Sequence, residues 1–299
     1  MEPGARGNTI DSAGGRVSSF APKRRYSQNF LTDVGIARNI VGALQLTAQD
    51  SVVEIGPGKG ALTTHLVTSP VKQIAAIEVD TRAVEFLREQ SWVRSGRVRI
   101  VQGDALTAQV AEIFSGESRE HRCIIGNIPY AITSPLLFWM FDQRHGASRA
   151  VFMMQREVAR RCVANVGSKD YGILSVASWL YGSAKLMFHV QPGSFFPRPS
   201  VTSSVVRFDL LDGTADGLPQ REFMDFVRSA FSQRRKVMTN ALADWSGRNK
   251  APLREDSLHC GVDLSRARAE ECSPEMLGQI YQSINSRYSI GSDSQGMSK

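Results

Sequence analysis

The order of short apolar runs restricts the fold of this chain more than any other feature. Seven β-prone runs stand out: Ser51–Ile55, Gln73–Val79, Val98–Val101, Cys123–Ile125, Ala150–Met154, Ala184–Val190 and Ser203–Leu210. Segments of helical length alternate with them, notably Ala61–Val67, Arg82–Gln90, Pro135–Phe141, Glu157–Val163 and Tyr171–Leu180. Ahead of them, Ile36, Ile40 and Leu44 recur at four-residue spacing behind Thr32 or Asp33, a capped helix with one buried stripe. Strands alternating with helices build βαβ units and a mainly parallel sheet. The expectation is an α/β fold with seven strands, closed by the last two runs.

From about Pro219 the patterning becomes helical without strands. Phe223, Phe226, Val227 and Ala230 share one face, as do Leu277, Ile280 and Ile284. Asp212–Gly217 has the composition of a linker. The expected organisation is a catalytic domain over 23–211 and a small all-helical domain over 218–287. Gly- and Ser-rich tails are expected over 1–22 and 288–299, the first without the apolar stretch of a secretory signal. A chain of 299 residues accommodates one domain and a smaller appendage.

Composition excludes several classes. No apolar run approaches the roughly 20 residues of a membrane span. The four cysteines are far apart with no C-x-x-C pair, and the five histidines show no ligand spacing, so no metal site is expected. They read as the reduced thiols of an intracellular, cytoplasmic protein. The net charge of +7, with a pI of about 9.4, suits a polyanionic partner where the charge clusters.

The chemistry sits where predicted strands end. Glu54-Ile55-Gly56-Pro57-Gly58-Lys59-Gly60 leaves the first strand and enters a helix, and its glycines let a ligand approach the backbone in the strand-to-helix crevice. Glu78, 22 residues after Gly56, ends the next strand and is placed to accept ribose hydroxyls. The loop alone does not separate a nicotinamide cofactor from S-adenosyl-L-methionine. Asp104, after the third run, can accept an adenine amine, or act as a turn or cap. Asn127-Ile128-Pro129-Tyr130 then ends the fourth run.

This tetrad suits a particular reaction. An adenine amine is a poor nucleophile because its lone pair is delocalised into the ring. The Asn127 side-chain carbonyl and a main-chain carbonyl at Ile128 or Pro129 can each accept an N–H, favouring a tetrahedral nitrogen. Pro129 stiffens the backbone, and Tyr130 offers a face for a splayed base, worth about 1 to 3 kcal/mol. A sulfonium donor needs no metal or covalent nucleophile, because alignment does much of the work.

Taken together, Lys23–Leu31, Glu54–Gly60, Glu78-Val79-Asp80, Gly103-Asp104, Asn127–Tyr130, Gln155–Ala159 and Phe196–Val201 resemble the ribosomal RNA adenine N6,N6-dimethyltransferase family. The resemblance implies a Rossmann-like class I methyltransferase fold using S-adenosyl-L-methionine. It implies that Asn29 and Leu31 lie against the cofactor from the N-terminal side, Gly56 at its amino-acid end, Glu78 at its ribose and Asp104 at its adenine. Asn127, Pro129 and Tyr130 would form the catalytic turn, Asn127 also touching the cofactor and Tyr130 holding the target ring, and Phe196, or Phe195 beside it, would flank the target base. Residues 221–250 carry seven Lys or Arg against three Asp or Glu, including Arg234, Arg235 and Lys236. With Lys23-Arg24-Arg25, they would grip rRNA phosphates without reading sequence.

The implied substrate is a pair of adjacent adenosines near the 3′ end of small-subunit rRNA, modified during ribosome biogenesis by a monomeric enzyme. The alternative is the macrolide-resistance branch, which dimethylates one adenosine of large-subunit rRNA. Ser27 before Gln28, where the small-subunit branch commonly has Gly, points toward that second branch. Ala131 after Tyr130, where Asn is common, also departs from the small-subunit pattern.

Overall fold

The computed structural model describes residues 29–233, 236–245 and 258–288. The strands are β1 (Phe30–Leu31), β2 (Ser51–Ile55), β3 (Gln73–Glu78), β4 (Val98–Gln102), β5 (Arg122–Asn127), β6 (Arg149–Gln155), β7 (Gly182–Val190), β8 (Phe195–Phe196), β9 (Ser203–Leu210), β10 (Leu258–His259) and β11 (Val262–Asp263). Seven of them form one sheet in the order β4-β3-β2-β5-β6-β9-β7. Each expected run is a strand of this sheet, with ends displaced by at most two residues. The pairings β2–β3, β3–β4, β2–β5 and β5–β6 are parallel.

The central strand β2 is buried along its whole length. This explains why its sequence is a continuous run rather than an alternating one, because helices cover both faces of a parallel sheet. From β2 the chain moves out to β3 and β4, then returns to place β5 on the other side of β2. The carboxyl ends of β2 and β5 therefore flank a topological switch point, where open α/β sheets bind ligands. At that point a Cβ on Gly126 would lie 3.0 Å from the Ile55 carbonyl oxygen, so the two strand ends approach closely only with glycine.

The helices of this first part are α1 (Val34–Gly42), α2 (Thr63–Val67), α3 (Thr81–Arg88), α4 (Ser91–Arg94), α5 (Val110–Ile113) and α6 (Thr133–Asp142). Asp33 caps α1 by accepting the Ile36 N–H at 3.0 Å, and Asp80 caps α3 through the Arg82 N–H. Such caps satisfy backbone donors that a helix start leaves open. Ile40, Leu44, Val52, Leu66 and Ile125 are buried together in the core.

By packing, the chain divides into two compact units, residues up to Gln155 with Phe188–Val205, and Arg156–Met187 with residues from Val206 on. This division differs from a boundary at the 212–217 linker. The second unit takes in α7 (Arg156–Cys162) and α8 (Ile173–Tyr181) together with α9 (Gln220–Ser232), α10 (Met238–Trp245) and α11 (Pro274–Tyr288). Aromatic contacts give the reason. Trp179 of α8 meets Phe223 of α9 edge-on at 6.5 Å, and Tyr171 meets Phe231 at 5.8 Å. Within the same unit Phe226 packs on Trp245 and Tyr281, with centroids 5.2 and 5.7 Å away.

The C-terminal part is not purely helical, which corrects the expectation from its patterning. β10 and β11 form an antiparallel hairpin with His259 opposite Val262. Its two-residue turn, Cys260-Gly261, has φ of 49° and 81°, the left-handed pair that suits a tight hairpin. Two-residue strands carry too little periodicity to be read from sequence.

Candidate active site

Between Ile55 and Ala61 the backbone passes through three left-handed glycines, Gly56 (φ 63°), Gly58 (φ 57°) and Gly60 (φ 81°), a conformation that L side chains rarely adopt. The Gly56 N–H bonds the Ile77 carbonyl at 2.9 Å, tying the loop to the end of β3. Glu78 completes the tie. One of its carboxylate oxygens accepts the Gly58 N–H at 3.1 Å and the other the Asp80 N–H at 2.9 Å. The Phe30 ring covers the loop, so a Cβ on Gly58 would come within 3.1 Å of it. The Lys59 ammonium lies 4.9 Å from the same ring's centre, within cation–π range.

Two carboxyl groups give this side its electrostatics. Glu54, on β2, is buried and accepts the Thr63 hydroxyl at 2.6 Å. Burial pushes its pKa up to about 7, against the Thr63 bond, with the nearby Glu78 charge adding to the rise. Burial also raises the Glu78 pKa, opposed by the N–H bonds from Asp80 and Gly58. Asp104, exposed after β4, caps the short turn Ala105–Thr107 by accepting the Leu106 N–H at 2.9 Å. It therefore has the cap role of its residue type while also lining the cleft.

The other side is built at the end of β5. The Asn127 side-chain amide donates to the Asn29 carbonyl at 3.2 Å, so its oxygen is the atom not used in that bond. The Ile128 N–H bonds the Met153 carbonyl at 2.9 Å. The Pro129 carbonyl accepts the Ile132 N–H at 3.1 Å and the Thr133 hydroxyl at 3.3 Å. Of the two main-chain acceptors weighed from sequence, the Pro129 carbonyl is thus engaged within its own turn. Tyr130 is half-buried, and its hydroxyl lies 2.7 Å from that of Ser203.

Asn29, Leu31, Gly56, Glu78, Asp104, Asn127, Pro129 and Tyr130 all line one cleft. Its empty space is about 1250 Å³, open mouth included. Phe196 is not among the lining residues. It is 65% exposed and pairs across the β1–β8 ladder with Phe30, while Phe195 beside it is buried in the core. Of the doubled phenylalanine, Phe195 is thus a core side chain and Phe196 a surface ring. Lys236 lies exposed in the second unit. Arg234, Arg235 and Lys23-Arg24-Arg25 lie outside the described residues.

Sequence reading missed Phe30, Thr63 and Ser203. Phe30 and Ser203 act through partners distant in the chain, and Thr63 is an ordinary first-turn residue until Glu54 is seen to be buried. Among the described residues no group of three or more His, Cys, Asp or Glu could hold a metal ion. No described helix is long and apolar enough to cross a membrane.

A family model for ribosomal RNA adenine dimethylase matches residues 19–286. A Chlorobium phaeobacteroides protein named ribosomal RNA small subunit methyltransferase A is 38% identical over 267 residues, 89% of this chain and 95% of that one. A protein of the same name from Methylococcus capsulatus is 40% identical over 253 residues, 84% of this chain and 93% of its own. The crystal structure of a dimethyladenosine transferase from Plasmodium falciparum shares the fold, with a TM-score of 0.72 at 24% identity, covering 87% of this chain and 98% of that one. The 23S rRNA methyltransferase ErmE gives a TM-score of 0.63 at 25% identity, covering 86% of this chain and all of that one. The fold is the Rossmann-like one of class I methyltransferases.

Proposed function

The chain belongs to the ribosomal RNA adenine dimethylase family, and on that premise we propose that it dimethylates N6 of two adjacent adenosines near the 3′ end of small-subunit rRNA during ribosome biogenesis. The observation that carries this reading is the meeting of a carboxylate-lined glycine loop and the Asn127–Tyr130 turn in one cleft. Relatives named for the small subunit, at 38% and 40% identity, support that substrate over the large subunit, whose enzyme is 25% identical.

The cleft fits S-adenosyl-L-methionine by its chemistry. Open space faces Gly56, where a Cβ would meet nothing within 4 Å, so the loop leaves room beside its backbone. The Glu78 carboxylate accepts the Gly58 and Asp80 N–H groups, one on each oxygen, and keeps acceptor capacity for a ribose hydroxyl. Val79 lines the cleft with its apolar side chain half exposed, and Ala105 and Ile128 line it too, a surface suited to a flat adenine. Asn29, Leu31, Gly56, Glu78 and Asp104 would hold the donor. When bound, it supplies a methyl group on a positively charged sulfur.

The chain's own groups then act on the substrate. The Asn127 side-chain oxygen and the Ile128 carbonyl accept the two N–H bonds of the target amine and turn its lone pair outward. Tyr130 stacks on the base, and Phe196 offers a second exposed ring at the surface. Lys236, with Arg234, Arg235 and Lys23-Arg24-Arg25, supplies phosphate contacts whose strength falls with salt. The enzyme works in the cytoplasm as a monomer and without a metal.

The test is labelled methyl transfer from S-adenosyl-L-methionine to ribosomal subunits from cells lacking the modification. Label in N6,N6-dimethyladenosine of the small-subunit rRNA is expected. Label confined to large-subunit rRNA, or no transfer at saturating donor, overturns the reading.

A further inference from the structure

Ser203 opens β9 and is fully buried, and a hydroxyl taken out of water needs a partner. Its partner is 73 residues away in sequence, the Tyr130 hydroxyl at 2.7 Å. The adjacent Ser204, equally buried, bonds His189 Nδ1 at 2.8 Å. Two consecutive serines at the start of β9 thus serve different partners, and the partner of Ser203 lines the cleft. The root of Tyr130 is braced separately, because the Thr133 hydroxyl donates to the Tyr130 carbonyl at 3.2 Å. The ring is therefore held at both ends, by its backbone and by its tip. Burial raises the Tyr130 pKa, against the bond from Ser203, so the phenol keeps its proton near neutrality and the pair stays a neutral hydrogen bond.

We propose that Ser203 is a positioning residue for methyl transfer, its hydroxyl holding the Tyr130 ring in the orientation on which the target base stacks. This rests on the reading of Tyr130 given above. Half-buried at the cleft, an unanchored ring would swing about its side-chain torsions, and small misplacements of a reacting base are costly in rate. Ser203 also lies seven residues after Phe196, where the chain carrying that exposed ring re-enters the sheet. The same bond thus ties the Asn127–Tyr130 turn to the return of the Phe196 loop.

The experiment uses the full chain, undermethylated small subunits and three variants, Ser203→Ala, Tyr130→Phe and the two combined. Each single change is expected to lower kcat about fivefold to tenfold with the KM for the methyl donor unchanged, and the double variant to be no slower than either single one. With 2-aminopurine at the target adenosine, both single variants should recover fluorescence that stacking quenches in the wild type. Should Ser203→Ala fail to fold, Tyr130→Phe alone carries the test, since it removes the same bond from the cleft side. Wild-type kcat in Tyr130→Phe, or independent losses that multiply in the double variant, overturns the proposal. Tyr130→Ala separates the two claims. If it leaves kcat intact, Tyr130 does not face the base. If it abolishes transfer while Tyr130→Phe and Ser203→Ala do nothing, only the positioning role falls.

Discussion

On the side of the cleft made by Gly56–Gly60 and Glu78, backbone does the holding. Left-handed glycines shape the loop, and N–H groups of Gly58 and Asp80 lock into a single carboxylate. On the side made by Asn127–Tyr130, side chains do it. The Asn127 amide reaches the Asn29 carbonyl, Tyr130 reaches Ser203, and Thr133 braces the turn. On the proposed reading the first side is a cradle that works by its shape, and the second presents acceptors and a ring that work by their aim. Damage to the cradle should therefore appear as lost donor affinity, and damage to the turn as lost rate.

The largest expected effect breaks the turn. Asn127→Ala should cut single-turnover methyl transfer about 100- to 1,000-fold, the scale for losing one hydrogen-bonding group that acts in a transition state. Donor affinity, measured by calorimetry, should change by less than about twofold. If affinity collapses while turnover per bound donor stays normal, the division between the two sides is wrong. Next comes the cradle. Glu78→Gln replaces two acceptor oxygens with one, leaving the Gly58 or Asp80 N–H facing an amide NH2. Donor affinity should fall about tenfold, with rate at saturating donor nearly unchanged; a rate loss at unchanged affinity would move Glu78 to the other side of the comparison.

A smaller effect sharpens the shape argument. Gly58→Ala must take a φ of 57° and bring its Cβ within 3.1 Å of Phe30, so donor affinity should fall several-fold and Tm by a few degrees. A variant with wild-type affinity would show that the loop conformation does not matter.

The smallest concerns Glu54. A glutamate carboxyl ordinarily titrates at 4.5, and burial pushes that of Glu54 up to about 7 in the fold. Between those values the folded state binds more protons than the unfolded one, so stability falls as pH rises through that window. Glu54→Gln removes the ionisation and should flatten the fall in Tm between about pH 5 and pH 8. The same slope in both proteins would mean that Glu54 ionises normally.

How much of this was legible in sequence depended on how far apart the partners are. The central strands are readable because burial on both faces brings apolar residues together, as in Ser51–Ile55 and Arg149–Gln155, while Gly182–Val190 at the sheet edge alternates. The glycine loop and the Asn-Ile-Pro-Tyr turn are readable because their chemistry is contiguous. The β1–β8 ladder is not, because two-residue strands have no period and Phe30 finds Phe196 only through the fold. The Tyr130–Ser203 bond and the burial of Glu54 beside Thr63 are invisible for the same reason. The linker reading at 212–217 missed that Tyr171 and Trp179 belong with Phe231 and Phe223, since ring-on-ring packing leaves no local trace.

The most direct test of the central claim is a crystal structure of the full chain with S-adenosylhomocysteine and adenosine. The cofactor's ribose should lie on Glu78, and the adenosine N6 within about 3.2 Å of both the Asn127 side-chain oxygen and the Ile128 carbonyl, with the base against Tyr130. A purine bound elsewhere, or those two oxygens turned away from it while the cofactor fills the glycine-loop side, would contradict it.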